Sequence, residues 1–165
     1  MQELFFRPVT DRDIPVLTGI YNSNPAFLRT HLGVERVEEE FLRDEMAEMK
    51  RMGFLSRVIV AEDGRPVGLA DYRPGESCYL SLLMLDASHQ GDGLGRRCYA
   101  LLERELVTRG CRTVRLDAVQ GPHSPAPFWE KLGFAGREVI LLTWGGKTSP
   151  ALVMRKTLPL AAKRS

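Results

Sequence analysis

A short glycine-rich stretch, Gln90-Gly91-Asp92-Gly93-Leu94-Gly95-Arg96, holds the clearest chemical signal in the chain. It follows an apolar run (Leu80, Leu82, Leu83, Met84, Leu85) and precedes an amphipathic one (Cys98, Leu101, Leu102, Leu106). That order predicts a strand, a glycine loop and a helix. A helix N-terminus presents unpaired backbone N–H groups and a partial positive charge. Glycines let a phosphate come close to that backbone. The chemistry this arrangement favours is capture of a pyrophosphate, and with it a nucleotide-bearing cofactor. Two other readings stay open on the residues alone. One is a dinucleotide turn, with Asp117 as its later acid. Against it, Asp86 to Gln90 intervene before the first glycine, the third glycine position is Arg96, and a single strand–helix–strand crossover is visible. The other is a purely structural glycine turn.

The elements that must position this loop can be read in order. Leu4 to Val9 predicts a first strand, and Thr10 or Asp11 caps a helix to about Tyr21. Asn22 to Pro25 is turn chemistry. Val34 to Met52 predicts a second helix, with Val37, Phe41, Leu42, Met46 and Met49 on one face and Gly53 as its stop. Three antiparallel strands follow, Ser56 to Ala61, Pro66 to Tyr72 and Cys78 to Leu85, the first two joined by Glu62-Asp63-Gly64-Arg65. After the glycine loop a helix runs to about Arg109, then a strand covers Thr113 to Val119, so this crossover is parallel and right-handed. A short helix, Pro125 to Leu132, and a hairpin of Glu138 to Trp144 with Ala151 to Thr157 complete the order. The expectation is a single domain over residues 1–158 with a flexible tail at 159–165.

Composition narrows the class. The chain has 165 residues, 44% hydrophobic and 27% charged, which is ordinary for one globular domain. A net charge of +2, spread along the chain, argues against nucleic acid as a partner. No apolar run approaches the roughly 18 residues of a membrane span. Cys78, Cys98 and Cys111 form no CxxC and no metal spacing, so no metal is expected. An odd number of cysteines without a secretory apolar segment in Met1 to Pro8 predicts reduced thiols and a cytoplasmic location.

Two motifs at this spacing resemble the GCN5-related N-acetyltransferase (GNAT) superfamily. They are Leu83-Met84-Leu85-Asp86-Ala87-Ser88-His89-Gln90-Gly91-Asp92-Gly93-Leu94-Gly95 and Phe128-Trp129-Glu130-Lys131-Leu132-Gly133-Phe134. Gln90, Gly93 and Gly95 match the family's loop pattern, and the aromatic pair followed by Lys131, Gly133 and Phe134 matches most of its second motif. The resemblance implies an α/β fold with a mixed central sheet of about seven strands flanked by about four helices. It implies acetyl-CoA as acyl donor. Gln90 is expected to bind the cofactor, and the amides of Gly91, Asp92, Gly93, Leu94, Gly95 and Arg96 are expected at the pyrophosphate. Leu83, Met84 and Leu85 are expected along the pantetheine arm, with Phe128 and Trp129 on its other side. On their own, Phe128 also reads as a core aromatic, and Arg96, Arg97 and Lys131 as solvated charges, Arg96 being the best placed of them to meet a phosphate.

The implied reaction moves an acetyl group to a primary amine by direct transfer. An alkyl ammonium has a pKa near ~10.4, so about one in a thousand is neutral at pH 7, and a base recovers that factor. Asp71 and Asp117, ahead of Glu76, lie on strands flanking the expected thioester and are the candidate bases. Many family members place a tyrosine acid where this chain has Trp129. Indole N–H is a donor only, so that acid is missing. The departing thiolate, with a pKa of ~8.5, needs little protonation. The same substitution motivates the alternative of a non-catalytic acyl-CoA-binding regulatory module. The expected acceptor is a small amine or a peptide N-terminus, received near Asn22, Asn24, Phe27, His31 and the last hairpin, where no acidic cluster is visible in sequence. Oligomeric state is open between monomer and homodimer.

Overall fold

A computed structural model describes residues 3–161. The expected tail at 159–165 is described only to 161, so residues 162–165 lie outside the described residues. The strands are β1 (Leu4–Pro8), β2 (Leu55–Ala61), β3 (Pro66–Arg73), β4 (Ser77–Leu85), β5 (Thr113–Val119), β6 (Val139–Trp144) and β7 (Lys147–Thr157). They form one mixed sheet in the order β1-β2-β3-β4-β5-β7-β6, in which β4 and β5 make the parallel pair. The helices are α1 (Ile14–Asn22), α2 (Pro25–Leu32), α3 (Glu39–Arg51), α4 (Leu94–Thr108) and α5 (Ala126–Lys131). None among the described residues is long and apolar enough to cross a membrane.

Helices cover both faces of the sheet. On one face, Cys98, Leu102 and Leu106 of α4 pack on Ile59, Cys78, Leu80, Val114 and Leu116. On the other, Ile14, Leu17, Leu28 and Leu42 of α1 to α3 pack on Val58, Leu69, Leu82 and Met84. Such two-sided burial explains why the central strands read as nearly continuous apolar runs.

Two irregularities in β4 shape everything that follows. First, Asp71 pairs with Leu82 and Tyr72 with Leu80, so Ser81 is an extra residue. This bulge switches the strand's facing: Cys78 and Leu80 look toward α4, whereas Leu82 and Met84 look toward α1 to α3. Second, β4 and β5 pair only at Ser77–Thr113, Cys78–Val114 and Tyr79–Arg115. Beyond Tyr79 and Arg115 the strands part, and the sheet opens as a V whose β4 edge has no neighbouring strand. On its other edge β4 is held closely by β3. A Cβ on Gly68 would lie 2.5 Å from the Met84 carbonyl oxygen and 2.9 Å from Leu85 Cδ2, so only glycine permits that approach.

The described residues form five α-helices, where about four were expected. The added one is α2. Pro25 opens it and Gly33, at φ 72°, closes it, both in their favoured positions. The Asn22–Pro25 turn is present, but it separates two helices. α3 begins at Glu39, not Val34. The Asn22 side chain explains the delay: its Nδ2 donates to the Val37 carbonyl (2.9 Å) and its Oδ1 accepts from the Val37 N–H (2.8 Å). Those bonds hold the chain before α3 in a connection between helices.

Candidate active site

The glycine loop closes β4 onto α4 with two left-handed residues, Gly91 (φ 86°) and Gly93 (φ 82°). A Cβ on either would meet no protein atom within 4 Å, so open space faces both. One amide is already engaged: Leu94 N–H donates to Asp92 Oδ1 at 2.9 Å. The N–H groups of Gly91, Asp92, Gly93, Gly95 and Arg96 have no acceptor among the described residues. Unpaired donors at a helix start, in open space, are what a pyrophosphate requires. Of the six expected amides, Leu94 alone is committed within the protein.

The neighbouring β4 edge supplies the second element. Asp86 N–H donates to the Val67 carbonyl on β3 at 2.9 Å. The carbonyl of Leu85 belongs to the same peptide plane and therefore points the opposite way, into the V. Strand alternation gives the main-chain groups of Leu83 the same direction. Met84 turns its main-chain oxygen toward Gly68 on β3 and buries its side chain under α1 to α3. Leu83 thus presents both main-chain groups to the open edge and Leu85 its N–H, since the Leu85 carbonyl accepts from Asn24 Nδ2 at 2.9 Å; Met84 presents neither.

Three separate elements converge beside that edge. A Cβ on Gly95 would lie 3.3 Å from the Phe128 ring and 3.7 Å from Leu85 Cδ1. The loop, β4 and α5 therefore meet where the sequence motifs required them to. Phe128 is 37% exposed, whereas Trp129 is buried in an edge-to-face group with Tyr99, Phe128 and Phe134, the ring centroids 4.9–5.6 Å apart. Phe128 is the half of the pair that faces outward.

The two candidate bases differ sharply. Asp117 Oδ2 accepts from the Tyr79 hydroxyl at 2.7 Å, and its Oδ1 accepts from Arg115 Nε at 3.1 Å. Both oxygens are engaged, which leaves this carboxylate as a brace across the point of the V. Asp71 is 3% exposed and its Oδ1 has no hydrogen-bond partner. Burial pushes its pKa up to about 7; the Ser56 hydroxyl across on β2 opposes the shift and Glu45 adds to it. A buried carboxyl poised near neutrality suits proton transfer. Glu45, on α3, is itself raised, chiefly by burial. Its closeness to Asp71 depends on α3 lying over β2 and could not be read from spacing. Glu76 directs its backbone carbonyl to the N–H groups of Arg112 and Thr113 at the closed end of the V. Burial pushes the Cys78 and Cys98 thiols up to about 12, so neither is a nucleophile at neutral pH.

Asn24 is the residue whose role sequence reasoning missed. Its Nδ2 donates to the carbonyls of Leu85 and Ile20, each at 2.9 Å, and its Oδ1 accepts from Gln90 Nε2. Next to it, Ser23 Oγ accepts from the Ala87 N–H at 3.0 Å. The α1–α2 turn is thereby clipped to the end of β4 and to the first residue of the loop motif. A cavity of about 390 Å³ opens beside this clip, with Phe27, His31, His123 and Pro125 among its walls.

Residues 20–134 match the model of the acetyltransferase (GNAT) family, a span that includes the loop, the splayed strands and both aromatic residues. The chain belongs to the GNAT acetyltransferase family. Solved structures agree in fold. An acetyltransferase from Thermus thermophilus is 25% identical, with a TM-score of 0.74 over 96% of this chain and 100% of that one. A ribosomal-protein-alanine N-acetyltransferase from Brucella melitensis is 23% identical, with a TM-score of 0.67 over 93% and 99%. The yncA protein of Salmonella typhimurium, solved with its cofactor acetyl-CoA, is 18% identical, with a TM-score of 0.67 over 99% and 98%. In this GNAT chain the family's two defining motifs are the ones that meet at Gly95 and Phe128.

Proposed function

We propose that this GNAT protein is an N-acetyltransferase that moves an acetyl group from acetyl-CoA directly to a primary amine. One observation carries the reading: the unpaired amides of the glycine loop adjoin an unpaired edge of β4. Gly91, Asp92, Gly93, Gly95 and Arg96 would hold the pyrophosphate, and Leu83 and Leu85 the pantetheine amides. Phe128 would pack along the arm. Bound acetyl-CoA supplies an activated carbonyl and a good leaving thiolate. Yet the residues must still do three things.

They must orient the carbonyl, stabilise the oxyanion and take a proton from the amine. The open β4 edge offers fixed main-chain donors for the oxyanion. Asp71 takes the proton through a water, because its carboxyl is covered by protein on the acceptor side of the sheet. With both oxygens engaged, Asp117 holds Tyr79 and Arg115 in place. No tyrosine replaces the family acid at Trp129, and water protonates the thiolate.

The acceptor is a small amine or a peptide N-terminus entering over α2 and the last hairpin; the Brucella relative, named for alanine of a ribosomal protein, makes the second choice concrete. The compartment is the cytoplasm, where buried thiols stay reduced. The decisive assay mixes the protein with acetyl-CoA and a panel of alkylamines, amino acid amides and short peptides, and follows thiol release. Turnover with at least one amine, giving acetylated product by mass, is expected. Tight acetyl-CoA binding with no turnover across the panel would replace the enzyme with a non-catalytic acyl-CoA-binding module.

A further inference from the structure

We propose that α2 is a tie across the open V of the sheet, with Asn24 and Lys147 as its two anchors, so that it sets the width of the cleft that receives the donor's arm. This rests on the acetyl-CoA reading above. Among the described residues the two half-sheets, β1 to β4 and β5–β7–β6, are joined in the main chain at the three pairs around Cys78 and Val114 and by the Glu76 carbonyl at the closed end. Beyond those pairs no strand pairing joins them among the described residues; α4 packs across both halves on one face, which leaves the opposite face to be bridged by another element.

α2 spans it. At its start, the Asn24 amide is saturated: both Nδ2 hydrogens and Oδ1 are used, on Leu85, Ile20 and Gln90. That end is fixed to the β4 half. At its end, Lys147 Nζ donates to the carbonyls of Arg29 (3.0 Å) and Thr30 (2.7 Å). The Arg29 carbonyl also accepts from the Gly33 N–H at 3.1 Å, and a cation at these last-turn carbonyls complements the helix dipole. Lys147 begins β7, so this end is fixed to the other half. Packing reinforces the second anchor. The Trp144 ring meets Phe27 and His31 edge-on, at 5.8 and 6.0 Å. A Cβ on Gly145 would lie 2.6 Å from Leu32 Cδ2.

A wedge inserted between β4 and β5 must therefore load α2, although the pyrophosphate loop lies on a different segment. Positioning residues at the two ends carry that load. Neither anchor donates to the reacting atoms, so their removal loosens the cleft without removing a catalytic group.

Hydrogen–deuterium exchange with coenzyme A as the probe tests this. In the native chain, saturating coenzyme A is expected to slow exchange in residues 91–98 and, about fivefold or more, in residues 26–33. Lys147→Met keeps the aliphatic stem and removes the donor. In that variant, loop protection is expected to persist and α2 protection to be lost; Asn24→Ala is expected to do the same from the other end. Unchanged α2 exchange in the native chain, with the loop protected, overturns the tie. So does full α2 protection in both variants. An unprotected loop is a distinct result: it overturns the acetyl-CoA reading, and the tie falls with it.

Discussion

Gly93→Asp is expected to weaken acetyl-CoA binding by at least a hundredfold while the protein stays folded. A hundredfold is about 2.7 kcal/mol. The structure separates the two effects. A Cβ at Gly93 would meet no protein atom within 4 Å, so the fold has no steric reason to reject it. The left-handed backbone at φ 82° adds strain of roughly 1–2 kcal/mol, which lowers the melting temperature modestly. The remaining loss comes from a carboxylate standing where the phosphates approach. Gly93→Ala isolates the strain and is expected to lose less affinity. Calorimetric titration of both variants with acetyl-CoA, beside their melting curves, checks the expectation. Affinity within threefold of the native value in Gly93→Asp would mean that the turn is only structural.

Asp71→Asn is expected to lower turnover by about a hundredfold to a thousandfold at pH 7, and to change the shape of the pH profile. Asp71 acts as a carboxylate, and burial places its pKa at about 7. With an acceptor that enters as an ammonium, the native rate rises with unit slope up to about pH 7 and then levels. Without the base only pre-formed neutral amine reacts, about one molecule in a thousand at pH 7. The variant's rate therefore climbs without a break toward the amine's own pKa near ~10.4. A break near pH 7 that survives in the variant would remove Asp71 from the mechanism.

Stability supplies a check independent of turnover. The folded-state pKa lies above the unfolded value of 3.8, so this group's extra stability is complete below that value and is lost as pH rises through about 7. Above pH 7 the buried carboxylate costs up to about 4 kcal/mol relative to its protonated form. Asparagine cannot ionise. Denaturant melts at pH 4 and pH 8 are therefore expected to favour the variant more at pH 8.

How much of this was legible in the sequence depends on the reach of each interaction. The β4–loop–α4–β5 unit is written in contiguous residues: an apolar run, left-handed glycines, an amphipathic helix and a β-branched strand. Thr113–Val119 is legible to the residue, and the Glu62–Arg65 hairpin follows from its turn chemistry, whereas the second strand of the last hairpin begins at Lys147, four residues before the expected Ala151. The site's finer wiring is not contiguous. Asn24 reaches Leu85, 61 positions away, and Tyr79 reaches Asp117, 38 positions away. Arg115, two positions before Asp117 on the same strand face, is a local cue to its engagement, but nothing local foretells the Tyr79 hydroxyl on Asp117 or the orphan oxygen of Asp71. Ser81 is another case: as a bulge it reverses the facing of half a strand, yet it looks like an ordinary polar residue in an apolar run. α2 was hidden because Asn24-Pro25 signals a turn and a helix start with the same residues.

The central claim is that the main chain between Gly91 and Arg96 receives the pyrophosphate. Amide-resolved NMR of uniformly nitrogen-15-labelled protein titrated with coenzyme A tests it most directly. The largest shifts are expected at the N–H groups of Gly91, Gly93, Gly95 and Arg96, with a smaller change at Leu94, whose N–H is already bound by Asp92. Saturable binding that leaves those four amides unmoved, while other surfaces shift, would contradict the account.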